Sequence, residues 1–260
     1  VYEDVDSRLF DVHRLRHIIE PNATFWASGT TMESANMPTY DERVEALADG
    51  TMMKLGVTQT FQTQRGGPGQ WHNTDFLVVS TDYVWSSDDT PRRGPIGRFV
   101  DYRPELSNPG EYFVTEVAWR TTDTFTLTGA SVFDLDRNQQ ALSAAGVLIQ
   151  HSPQFATMAE LRYLNPQDST IVTMGARYQM TSKYDVVAGA DYDVDEGGFQ
   201  NTSFEVYRRF PSAAFGLGIG YNDITGESSF SFVFRPTGAV GDTRVSGIGS
   251  QQMTSTSGGY

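Results

Sequence analysis

The stretch Thr170–Asp195, TIVTMGARYQMT followed by SKYDVVAGADYDVD, decides the fold. In its first part Val172, Met174, Ala176, Tyr178 and Met180 share one side of a period-two pattern, and Thr173, Gly175, Arg177, Gln179 and Thr181 share the other. Only an extended strand sends successive side chains to opposite faces, so the alternation reads as β-structure. After Ser182-Lys183 the pattern resumes, with Tyr184, Val186, Ala188, Ala190, Tyr192 and Val194 against Asp185, Gly189, Asp191, Asp193 and Asp195. Two long strands joined by a tight turn form a hairpin.

The same unit repeats in both directions. Turn residues recur every 13 to 16 positions, at Asp123, Asn138, Pro153, Pro166, Ser182, Gly197, Pro211 and Gly226. Downstream, Phe204 and Val206 oppose Glu205 and Arg209. Phe215, Leu217, Ile219 and Tyr221 oppose Gly216, Gly218, Gly220 and Asn222, and Phe230, Phe232 and Phe234 oppose Ser229, Ser231 and Val233. Upstream, Phe155, Ala159, Leu161 and Tyr163 oppose Glu160 and Arg162, and earlier strands fall near His13–Ala27, Thr51–Gln64 and Asp75–Trp85. The pattern amounts to about a dozen strands, many of them near a dozen residues long. A soluble strand averages about 5–6 residues, whereas a tilted strand crossing a bilayer needs about 9–11. Long strands in sequential hairpins have long edges that demand closure. The sequence therefore predicts an all-β, antiparallel up-and-down transmembrane β-barrel, part of a larger barrel, with the apolar face toward lipid. Tyr83, Trp85, Trp119, Tyr163, Tyr184 and Tyr221, near strand ends, suit interfacial girdles. A soluble barrel or sandwich with the apolar face inward shares the same periodicity, so the pattern alone leaves it open.

Composition narrows the function classes. The 260-residue chain carries a net charge of −13, against the basic surface that nucleic-acid binding requires. It has no cysteine, hence no disulfide framework, thiolate metal site or Cys nucleophile. No apolar run approaches the length of a membrane-spanning helix. The chain opens Val1-Tyr2-Glu3-Asp4 without Met or a signal-like segment and reads as a fragment or a processed product. Residues 1–238 form the predicted outer-membrane barrel segment, interrupted by long loops at 28–49 and 86–110; Tyr40–Asp49 alone has helical composition. Residues 239–260, rich in Gly, Ser and Thr, read as a flexible polar tail.

No catalytic constellation emerges, so no enzyme, cofactor or metal site is predicted. His13 and His17 would share a strand face about 13 Å apart, too far to ligate one metal. Asp134 and Asp136, like Asp191, Asp193 and Asp195, could bind calcium weakly with carbonyl help, but a solvated acidic rim is the simpler reading. Gly216–Gly220 lies inside a strand with no helix after it, so it is no phosphate loop. His151 and Ser152 are adjacent at a turn and lack an orienting acid. The lumen-facing candidates are Glu160, Arg162, Arg177, Asp191, Glu205, Gly216, Gly218 and Gly220. Glu160 and Arg162 are expected to face Arg177 and Gln179 across neighbouring strands. The three glycines leave no side chains to pack and are expected to clear a strip along that strand.

Leu15-Arg16-His17-Ile18-Ile19-Glu20-Pro21 with Phe25 and Trp26, Asp49-Gly50 leading into Lys54–Thr58, and Phe204–Arg209 with Gly218–Tyr221 and Phe230–Arg235 together resemble the LptD family. These are outer-membrane lipopolysaccharide-assembly proteins of Gram-negative-type bacteria, and the likeness spans about residues 13–245, corresponding to the C-terminal half of the barrel. The resemblance implies that the chain passes lipopolysaccharide to the outer leaflet through a lateral seam. It implies as partners lipopolysaccharide, outer-membrane lipids, a luminal plug lipoprotein and periplasmic transport components, with no cofactor. Ser229, Phe230, Ser231, Phe232 and Phe234 would then form the lateral-gate strand. The family's cysteine pair before the penultimate strand is absent, with Phe210-Pro211-Ser212 in its place. A porin-like channel for small solutes and a soluble β-protein binding glycans or partners are the alternatives.

Overall fold

A computed structural model describes residues 3–7, 10–29, 31, 50–67, 69–87, 110–165 and 168–236. It is all-β, and every described hairpin follows the expected rhythm. The strands are β1 (Glu3–Ser7), β2 (Val12–Ser28), β3 (Gly50–Arg65), β4 (His72–Ser86), β5 (Tyr112–Arg120), β6 (Phe125–Asp134) and β7 (Gln139–Ser152). They continue with β8 (Phe155–Leu164), β9 (Ser169–Gln179), β10 (Tyr184–Asp193), β11 (Gly198–Arg209), β12 (Ala213–Asn222) and β13 (Glu227–Pro236). They form one sheet in sequence order, β1 and β13 at its ends, an antiparallel up-and-down meander. The final strand, Glu227–Pro236, contains the whole alternation of Ser229–Phe234 read from the sequence. β1 was not legible in the alternation because its five residues, EDVDS, hold a single apolar side chain. The helical reading of Tyr40–Asp49, most of the 28–49 and 86–110 connections and the 239–260 tail lie outside the described residues; Ser28 and Ser86 close β2 and β4.

The chain divides into two compact units, residues 1–119 with 130–142, and residues 120–129 with 143–260. In the first, β2, β3 and β4 run 17, 16 and 15 residues, longer than any strand of the second. Its buried residues Met52 and Val84 pack with Trp26 and Tyr112. In the second, Leu148, Ala156 and Met158 form a small cluster.

One local device recurs at three hairpins. β6, β10 and β12 end on Asp134, Asp193 and Asn222, and a four-residue turn follows each. The side-chain oxygen at the strand end accepts a backbone N–H of the turn: Arg137 N–H to Asp134 Oδ1 at 2.9 Å, Asp195 and Glu196 N–H to Asp193 Oδ1 at 2.9 and 3.0 Å, and Thr225 N–H to Asn222 Oδ1 at 3.1 Å. The fourth turn residue takes a positive φ, 50° at Asn138, 71° at Gly197 and 66° at Gly226, which Asn and Gly tolerate best. The sequence signal is Asp or Asn followed four residues later by Asn or Gly.

Candidate functional site

The register of β8–β13 aligns side chains into rows that cross six strands. One outer-face row reads Phe155, Tyr178, Val186, Val206, Leu217, Phe232. The next reads Thr157, Ala176, Ala188, Phe204, Ile219, Phe230. Many of these side chains lie open, among them Tyr178, Phe204, Leu217, Ile219, Phe230 and Phe232. With strands spaced about 4.8 Å, each row extends about 24 Å across the sheet. Soluble monomers rarely expose so broad an apolar surface.

Aromatic residues mark the upper and lower limits of this face. Tyr163, Tyr192, Phe199 and Tyr221 sit toward one end of the strands, and Tyr184, Phe210, Phe215 and Phe234 toward the other. From Tyr184 to Tyr192 along β10 is about 27 Å at the usual strand rise. A tilt of about 35–45° projects this to about 20 Å, close to the apolar band of an outer-membrane barrel.

The inner face of the same strands is more enclosed from β8 to β12 and mixes polar side chains with a few buried apolar ones, Met158, Ile171 and Val187 among them. One row reads Glu160, Thr173, Asp191, Asn201, Asn222, Glu227. Glu160 is 3% exposed and Thr173 1%. Thr173 Oγ1–H donates to Asp191 Oδ1 at 2.6 Å. Near the other end, Asp185 on β10 joins three strands. Arg209 of β11 donates to it through both Nε and Nη2, the second at 2.6 Å, and Arg177 of β9 stands 3.9 Å away. The Asp185 side chain is buried while both arginines reach solvent, so the face carries charge toward water rather than sealing it inside.

The expected pairing of Glu160 and Arg162 with Arg177 and Gln179 is not the one the register sets. Glu160 lies opposite Thr173, Arg162 opposite Ile171 and Arg177 opposite Ala156. The hairpin turn fixes an offset that periodicity cannot reveal.

The glycines of β12 do not leave an open groove. The Tyr207 ring lies over Gly216, where an added Cβ would come within 2.5 Å of it. A Cβ on Gly218 would meet Ser231 and Glu205, and one on Gly220 would meet Ser229 Oγ at 2.8 Å. Tyr207 O–H in turn donates to Glu205. The space freed by the glycines is filled by side chains of β11 and β13.

On β13 the two faces separate cleanly. Phe230 and Phe232 are 83% and 86% exposed on the outer face, while Ser229 and Ser231 lie on the side of the glycines. Phe234 meets Phe215 with ring centroids 5.0 Å apart.

The remaining motifs have structural partners. A register shift between His13 and Arg16, with Arg14 at φ 57°, breaks the common face expected for His13 and His17. His13 contacts Asp6 at 2.9 Å and Asp11 at 3.2 Å, and His17 stacks on Phe61 with centroids 4.2 Å apart. His151 bonds Thr157 Oγ1 at 2.8 Å, and Ser152 Oγ accepts the Gln154 N–H at 3.3 Å. Asp193 accepts Gln200 Nε2–H at 2.6 Å and Asp195 accepts the Thr170 N–H at 2.6 Å. The acids considered for calcium thus close turns and join strands.

The first unit repeats the two-faced design. Leu55 and Phe113 are exposed and fall in one row with Tyr83. On the opposite face Lys54 pairs with Asp82 at 3.3 Å, and the Thr58 and Ser80 hydroxyls meet at 3.2 Å.

No protein-family model matches the chain, and no curated protein matches it. Among solved structures it is similar to a KdgM porin, at 7% identity and a TM-score of 0.34, covering 73% of this chain and 91% of that one. It is also similar to the toluene transporter TodX of P. putida, at 11% identity and a TM-score of 0.34, covering 85% of this chain and 74% of that one. The Ralstonia pickettii toluene transporter TbuX gives 11% identity and a TM-score of 0.35, covering 85% of this chain and 79% of that one. Likeness this loose carries no argument about a path or a cargo, for which the two faces of the sheet are the guide.

Proposed function

We propose that this chain is the membrane-spanning part of an outer-membrane β-barrel channel, with its apolar face in lipid and its polar face along an aqueous path for small polar solutes. One observation carries the reading: across β8–β13 the open face is apolar, whereas the opposite face holds the charged and polar side chains Glu160, Thr173, Asp185 and Asp193 among a few buried apolar ones such as Met158, Ile171 and Val187. A soluble barrel buries the apolar face instead; a lipid-embedded barrel inverts the arrangement. Antiparallel strands with sequential hairpins satisfy their backbone groups between neighbours, as a bilayer requires. An outer-membrane location in a Gram-negative-type bacterium follows from this architecture, and the reading invokes no turnover chemistry.

The net charge of −13 favours cations. The test is planar-bilayer recording of the refolded protein in a potassium chloride gradient. Discrete conductance steps with a reversal potential on the cation side are expected; a correctly inserted protein that passes no current would overturn the channel.

A second reading keeps the LptD-like role, in which lipopolysaccharide leaves beside β13 with help from a luminal plug lipoprotein and periplasmic components. What favours it is the bare ridge of Phe230 and Phe232 on the last strand of the sheet. Photo-crosslinkers at Ser229 and Ser231 in the full-length protein would capture lipopolysaccharide under this reading. Capture no greater than at Arg162 would remove it.

A further inference from the structure

The outer face of β8–β13 carries one strand residue out of keeping with its surroundings. Arg208 lies opposite Tyr184 on β10 and Phe215 on β12, in a row that continues to Phe234. It is exposed, and its guanidinium carbon stands 4.8 Å from the centre of the Phe210 ring and 5.7 Å from that of Tyr184. Phe210 packs edge-on against Phe215 at 5.5 Å, and Phe215 against Phe234, so an aromatic cluster fixes where the cation sits. Its neighbour Arg209 turns to the inner face and is held by Asp185. Among the described residues Arg208 makes no ion pair; its partners are rings.

A guanidinium on a lipid-facing surface is disfavoured at mid-depth and tolerated at the interface, where it can meet charge. Arg208 lies at the level of the aromatic end of the band, where lipid phosphates lie. Ring faces hold the cation without neutralising it, so its donors remain available for an anion. A planar guanidinium offers two parallel N–H groups to the two free oxygens of a phosphodiester.

We propose that Arg208, set among Tyr184, Phe210 and Phe215, binds the phosphate of an anionic glycerophospholipid at the membrane boundary. The site rests on the membrane reading above and adds a lipid preference to it. Aromatic rings flank the acyl region below the head group, and the cation above them selects charge.

The test uses the full chain folded into vesicles of phosphatidylcholine with a minor fraction of phosphatidylglycerol, extracted in neutral detergent and weighed by native mass spectrometry. One retained phosphatidylglycerol per chain is expected, favoured at least about tenfold over phosphatidylcholine. Arg208→Gln is expected to lose that preference and Arg208→Lys to keep part of it. Arg137→Gln, which removes an exposed arginine from the β6–β7 turn, is expected to retain it in full. Heat-modifiable migration in gels reports whether each variant has folded. Arg208→Gln that folds and keeps the preference would overturn the site while leaving the membrane reading intact. Wild-type protein that fails to enter vesicles would overturn both. Displacement of the bound lipid by millimolar inorganic phosphate would also count against a lipid site.

Discussion

The two faces of β8–β13 are built on different rules. On the outer face a row such as Phe155, Tyr178, Val186, Val206, Leu217, Phe232 varies in shape but not in character, and Tyr178, Leu217 and Phe232 lie open while the others are half-buried. On the inner face residues are matched to particular neighbours. Thr173 serves Asp191, Arg209 serves Asp185, and Tyr207 covers Gly216 while donating to Glu205. The outer face is specified by its solvent and the inner face by its partners. The outer face should therefore tolerate changes of shape and reject charge, whereas the inner should tolerate added charge where it is open and reject changes of size.

The largest contrast is expected from a single arginine. Ala188 lies midway between the two aromatic ends of the outer face, and Ala188→Arg is expected to cost about 2–4 kcal/mol in denaturant titrations of the protein folded into vesicles. Asn201 is open on the inner face opposite Asp191. Asn201→Arg there is expected to change stability by less than about 1 kcal/mol, as exposed ion pairs do. Equal losses would erase the difference between the faces.

Removing the centre of the inner-face network comes next. Asp185→Ala takes away both acceptors of Arg209, and charged hydrogen bonds are each worth about 1.5–3 kcal/mol. Because both arginines reach water, the lower end of that range is expected in the same titration. Arg209→Gln in the Asp185→Ala background should then add little, which a double-mutant cycle would read directly.

Gly216→Ala pushes a methyl group into the Tyr207 ring, and overpacking of this kind costs about 1–3 kcal/mol. The loss should shrink when Tyr207→Ala is made alongside it. If the two losses simply add, the ring does not lie over the glycine in solution.

The smallest effects complete the comparison. Thr173→Val removes one donor from Asp191 and is expected to cost about 1 kcal/mol. Leu217→Met on the outer face keeps volume and character and is expected to cost less than that, within the range of isosteric swaps.

How much of this is legible in the sequence follows from what each feature requires. The faces of β8–β13 need only the alternation, so the sides of Met174 and Thr173, or Leu217 and Gly218, can be read without a structure. The hairpin turns are legible wherever Asp134, Asp193 or Asn222 precedes Asn or Gly by four residues. Which residues oppose one another is a different matter, because register is set by turn length and by bulges. Shifts at His13/Arg16, Phe61/Gln62 and Asp191/Tyr192 leave no mark in the hydrophobic pattern. The first of these shifts is why His13 and His17 lose their common face, and the offset set by the β8–β9 turn is why Glu160 meets Thr173 rather than Arg177. The same limit concealed Tyr207: the glycines of β12 announce a cleared strip, but only the β11–β12 register shows what fills it.

The central claim is that the apolar face meets lipid. Because the chain has no native cysteine, single cysteines can be placed without background. Spin labels at Val186, Val187, Ala188, Gly189, Ala190 and Asp191 in vesicle-folded protein, read by collision with oxygen and with a water-soluble nickel complex, test it along one strand. The account expects oxygen access to peak at 186, 188 and 190, with nickel access rising at 189 and 191 on the opposite face. Nickel access at 186, 188 and 190, with oxygen favouring 187, 189 and 191, would contradict it.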